Sequence, residues 1–176
     1  QQVQALAPRV ESVNEGMQAQ ATGAEQISQA LGQLSEASQQ TVVAVHRRLS
    51  GLDGPLRSTA DKRTRFAADL IAELLGALSA EADADRSAVL AAKGVDLALD
   101  RGAAPGAGYA LAWFGVAVAA RLDDEDAARR CAEAALAVPD DGPHAASTKV
   151  TVALALPFLV GTPQSTLALL REAHEI

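Results

Sequence analysis

The sequence predicts an all-α chain: a long coiled-coil-type helix followed by an antiparallel α-helical repeat domain. Three observations lead there. Apolar residues make up 49% of the 176 positions but aromatics only 3%, with Ala dominant, a balance that favours close-packed helices over pleated sheet. The first 45 positions carry larger apolar residues in alternating steps of three and four. Beyond position 60, apolar faces at helical spacing alternate with short Gly, Pro and Asp turn signals. Glutamine marks the division, because ten of eleven Gln fall within positions 1–40.

The first element is a helix over 1–45. Val3, Leu6, Val10, Val13, Met17, Ala24, Ile27, Leu31, Leu34 and Val45 form a heptad seam. Gln20, Ser38 and Thr41 are its polar positions, and no charge falls on it. A disordered polar tract would show no such register. Pro8 should start or kink the helix near its position. A helix with an apolar seam needs a second helix, which points to self-association through this segment. The run VESVNEGMQAQATGAEQISQALGQLSEASQQTV resembles the descending arm of the cytoplasmic signalling helix of methyl-accepting chemotaxis proteins, on Gly23 to Ile27, Ala30, Gln33-Leu34 and Gln39-Gln40. That resemblance implies a bacterial signalling helix that dimerises into a four-helix coiled coil. The methylation segment expected after Gln39-Gln40 is replaced by VVAVHRRLSGLDG, and the tip sequence is expected upstream of Gln1. Kinase contact and methylation are therefore not carried over. A chain opening Gln1-Gln2-Val3 is read as a fragment or processed product.

Positions 46–60 read as a basic turn and linker ended by Gly51, Gly54 and Pro55. The stretch from His46 to Arg65 sets Arg47, Arg48, Arg57, Lys62, Arg63 and Arg65 against Asp53 and Asp61. It fits a solvated linker or a surface for an acidic partner or membrane.

Positions 61–176 form the helical-repeat domain. The first helix has a broad apolar face of Phe66, Leu70, Ile71, Leu74, Leu75 and Leu78. A second covers about 85–100 and stops at Gly102. A third, about 106–122, is apolar all round and should be central. A fourth opens on Asp123 to Asp126, acids that favour its N-terminal dipole, and closes at Pro139. Two more follow, the last capped by Thr162 with Pro163 in its first turn. The last four helices read as two pairs offset by about 38 residues, an α-solenoid spacing. The first pair resembles a tetratricopeptide repeat at Ala128, Ala135, Leu136 and Pro139. More distantly, 95–175 resembles the helical region of multidomain bacterial signalling kinases and ATPases, with GAAP at Gly102 to Pro105 before the aromatic helix.

Catalytic chemistry is not written in the chain. There is no G-x-x-x-x-G-K-[ST] phosphate loop and no G-x-S-x-G elbow. His46, His144 and His174 lack ligand partners at helical spacing, and the acids at 123–126 lack the spaced ligands of a calcium loop. Cys131 reads as a small core hydrophobe. No metal, cofactor or catalytic residue is expected. The net charge of −7 argues against nucleic acid. The apolar stretches at 102–120 and 150–170 contain breakers, so buried helices are expected rather than membrane insertion.

The resulting expectation is a non-enzymatic, cytoplasmic signalling or protein-interaction module, tethered to a membrane only through segments upstream. It oligomerises through the N-terminal helix and binds a protein partner, with Tyr109, Trp113 and Phe114 as candidate partner contacts and the core as their alternative place. The competing readings are a regulatory fragment of an ATP-dependent signalling kinase or ATPase, and an artificial fusion of two signalling fragments.

Overall fold

The computed structural model describes residues 2–51, 56–59, 61–81, 83–139, 142–155 and 162–175, with side chains described from Met17 onward except at 19, 27 and 34. Among these residues every regular element is helical: α1 (Gln2–Ser50), α2 (Lys62–Ala80), α3 (Ala84–Arg101), α4 (Ala107–Leu122), α5 (Glu125–Ala137), α6 (Ala145–Ala155) and α7 (Pro163–His174). The chain divides into two units, Gln1–Ala37 and Ser38–Ile176. The first is the N-terminal part of α1, which runs through Pro8 without interruption. The second holds the last turns of α1 and all other helices, and α1 takes in the first five positions of the expected linker.

Helix starts follow from short polar side chains that accept orphan amides. Asp61 accepts from the Thr64 amide at 2.9 Å and its hydroxyl at 2.7 Å, opening α2. Asp83 accepts from Arg86 N at 3.0 Å, Asp124 from Ala127 N at 2.8 Å and Thr162 from Ser165 N at 3.2 Å, opening α3, α5 and α7. The α3–α4 turn uses Gly102 (φ 92°) and Gly106 (φ 87°), backbone that a side chain would strain. It also pins the incoming chain: Thr59 N donates to Ala103 O at 2.9 Å and Ala103 N to Arg57 O at 2.6 Å.

In the second unit, α2 packs on α3, α3 on α4, α4 on α5 and α6 on α7. Alternate helices touch as well, α2 with α4 and α4 with α6. Helix α4 is central, as its all-round apolar character predicts, burying Leu111, Phe114 and Val118 completely. Much of the remaining core is Ala, including Ala72, Ala91, Ala92, Ala110, Ala112 and Ala128. Small side chains shorten the distance between helix axes, so packing here rests on close approach rather than on large interlocking groups. Gly94 is the extreme case: a Cβ there would stand 2.5 Å from Ala110 Cβ and 3.1 Å from Ile71 Cγ2.

The face of α2 differs from expectation. Of its six large apolar residues, Leu75 is fully buried, Ile71 and Leu78 are half-buried, and Phe66, Leu70 and Leu74 are exposed. The buried side of this helix is instead Thr64, Ala68, Ala72 and Leu75. No helix among the described residues is long and apolar enough to cross a membrane.

Candidate interaction site

The heptad seam meets two environments. Met17 and Leu31 are 64% and 60% exposed, and Ala24 and Gln20 are exposed too. From Ser38 the stripe turns inward: Ser38, Val42 and Val45 are 1%, 0% and 5% exposed, and Leu49 packs against the core. Val3, Leu6, Val10, Val13, Ile27 and Leu34 have side chains outside the described set. The buried register is 38, 42, 45 and 49, still in steps of four and three, but with Val42 rather than Thr41 on the inward line. Thr41 is half-buried beside it.

Polar links hold these last turns of α1 against three other helices. Arg121 at the end of α4 donates to Ser38 Oγ at 2.9 Å, Ala84 O at 3.1 Å and Asp85 Oδ1 at 2.6 Å. Ser38 Oγ in turn donates to Asp85 O at 3.3 Å. One guanidinium therefore ties α1, α3 and α4 through its fixed fork of donors. His46 Nε2 lies 3.0 Å from Asp124 Oδ2, whose other oxygen caps α5. Arg48 spans Asp96 and Asp100, the latter at 2.6 Å. The hydrogen bond to Asp100 is the main cause that raises the Arg48 pKa above its ordinary value. The Ala127 amide, aided by His46, holds the Asp124 carboxyl below the usual aspartate value despite opposing desolvation. Local spacing hides these partners, since Ser38 and Arg121 are 83 positions apart.

The aromatic candidates fall into the fold. Phe114 is fully buried and Tyr109 is 6% exposed, while Trp113 is half-buried. Tyr109 stacks on His144 with ring centroids 6.0 Å apart, and meets Trp113 edge-on at 6.4 Å. Trp113 Nε1 and His144 Nε2 are buried without a hydrogen-bond partner. Glu73 Oε1 stands 3.6 Å from the His144 nitrogen, beyond hydrogen-bond length. These rings therefore join α4 to the start of α6 rather than present a free aromatic surface.

Other chemistry-bearing groups are occupied structurally or stand open. Cys131 is fully buried, and desolvation pushes its thiol up to about 12. Asp123 to Asp126 line a shallow concavity at the α4–α5 turn. No group of three His, Cys, Asp or Glu among the described residues could hold a metal ion. No family model matches the chain, and neither a curated protein nor a solved structure does.

Proposed function

We propose that this chain is a non-catalytic protein-interaction module of the signal-transduction kind, which self-associates through the N-terminal heptad seam and presents a helical-repeat domain to a protein partner. The observation that carries the reading is the partition of the seam. Val42 and Val45 have a partner surface within the chain, whereas Met17 and Leu31 on the same helix stand in solvent. Large apolar side chains at heptad spacing cost free energy in that state and are covered when a second helix packs against them.

The repeat reading draws on the spacing of the last four helices. Ala107 and Ala145 open α4 and α6, and Glu125 and Pro163 open α5 and α7, an offset of 38 in both cases. The contacts of α2 with α4 and of α4 with α6 support the reading, since stacked helix pairs would make them. The chemoreceptor-like run supports a cytoplasmic, bacterial setting in which helix pairing relays a signal.

Light scattering on the full chain at about 5 μM tests the proposal. Wild type should have at least twice the monomer mass, and Leu31→Glu should move it toward monomer with unchanged thermal unfolding of the second unit. A monomeric wild type, or a Leu31→Glu mass equal to wild type, would remove the seam from the mechanism.

A further inference from the structure

We propose that α2 is a second, self-complementary docking surface, which pairs antiparallel with α2 of another copy of this chain. Phe66, Leu70 and Leu74 are 71%, 49% and 46% exposed, and Ala77 is exposed beside them. Phe66 is the most exposed large apolar side chain among the described residues. At about 100° per residue these four fall within one quadrant of the helix, opposite the buried line of Thr64, Ala68, Ala72 and Leu75. The stripe therefore faces away from the packed helices and takes no part in the core.

Charge identifies the occupant. Exposed Arg63 stands at the N-terminal end of the stripe and exposed Glu81 at its C-terminal end. They are about five full turns apart, so they share one angular position, within the same quadrant as the apolar line. Glu81 retains helical dihedrals (φ −85°, ψ −5°) as the C-cap, so the periodicity reaches it. A two-fold axis near position 72 brings Leu70 opposite Leu74 of the second copy and Phe66 opposite the region of Ala77 and Leu78. The same operation sets Arg63 against the other copy's Glu81, twice. A parallel pair would set Arg63 against Arg63 and Glu81 against Glu81. The two ends of the stripe thus complement themselves under a single two-fold, while exposed Glu73, one residue from the axis, meets its own copy there and weakens the pairing. A lipid surface would match the Arg63 end and be repelled at the Glu81 end. Three large side chains per copy offer less than the about 800 Å² per partner of a standard interface, so a dissociation constant of tens of micromolar is expected.

Cysteine bridging in the full chain tests the register independently of the N-terminal seam. Phe66→Cys and Ala77→Cys proteins, each also carrying Leu31→Glu, are mixed under mild oxidation, while buried Cys131 stays out of reach. A mixed 66–77 disulfide should dominate, because in the antiparallel pair two copies of position 66 lie about 18 Å apart along the axis. Arg63→Glu should reduce bridging about tenfold, and Arg63→Glu with Glu81→Arg should restore it. Equal 66–66 bridging, no mixed bridge, or no restoration by the double swap overturns the proposal. So does binding of Phe66→Cys protein to phosphatidylserine-containing vesicles without any mixed bridge, which would give the stripe to a lipid surface. Seam failure with intact bridging would separate this proposal from the one above.

Discussion

Replacing Gly94 by alanine asks whether α3 and α4 approach as closely as their small residues allow. In an exposed helix this change stabilises by about 1 kcal/mol, because alanine gives up less backbone entropy than glycine. Here the new methyl would stand 2.5 Å from Ala110 Cβ and 3.1 Å from Ile71 Cγ2. Ala110 Cβ is fixed to its backbone and cannot rotate aside, so the helices must separate or tilt. Overpacking of this kind costs about 1–3 kcal/mol, and loss of the surrounding Ala contacts adds to it. The expected net change is a destabilisation of roughly 1–2 kcal/mol, or a Tm lower by about 2–8 °C. Urea unfolding followed by circular dichroism and by Trp113 fluorescence reads it directly, because Trp113 lies on α4 within one turn of Ala110. Ala110→Gly alone should also destabilise, by about 1 kcal/mol. Gly94→Ala combined with Ala110→Gly should recover more than additivity allows, since the swap moves the notch from one helix to the other. A Gly94→Ala protein more stable than wild type would refute the close α3–α4 contact.

Two further outcomes follow from the ionisable groups. Asp124 has its pKa depressed in the folded chain, so its contribution is complete above the ordinary aspartate value of about 3.9 and is lost as pH falls through the lower folded value. Asp124→Asn keeps a cap acceptor without titrating, so its unfolding free energy should fall less steeply than wild type below about pH 4 in acid titrations of stability. Cys131, buried and with its thiol pushed up to about 12, should react with a disulfide reagent only as fast as the second unit opens; addition of urea to the transition midpoint should release it.

Much of the secondary structure was legible because its signals are local. Asp124 and Thr162 sit where short acceptors before apolar periodicity predict helix starts, and Gly102 where a left-handed stop is needed. The central place of α4 was legible from an apolar surface with no solvent side. The face of α2 was not. Hydrophobic size ranked Phe66, Leu70 and Leu74 as core, but α3 and α4 approach along the smaller line of Thr64, Ala68 and Ala72, where backbones can come close. In an alanine-built domain, size is a poor guide to burial. The Arg121 clamp was equally hidden, because its partners lie on α1 and α3 and no local spacing relates them.

That clamp sharpens the division of labour along α1. Ser38 is a polar position on an apolar seam, and in a free coiled coil it would weaken the pairing. Here its hydroxyl is buried and satisfied at both ends, accepting from Arg121 and donating to Asp85 O. A polar residue at this point therefore favours docking onto the chain's own helices over pairing with a second α1. Val42, Val45 and Leu49 continue the same choice, and His46 and Arg48 reinforce it through Asp124, Asp96 and Asp100. Nearer the N-terminus Met17 and Leu31 on the same seam remain in solvent. Any partner helix for α1 should accordingly stop near Ser38, because past that point the seam is filled from within. Substituting Ser38 by leucine would strand the Arg121 donor and remove the marker that separates the two registers. Its signature would be a less stable second unit together with tighter self-association, opposite signs that a purely structural serine would not produce.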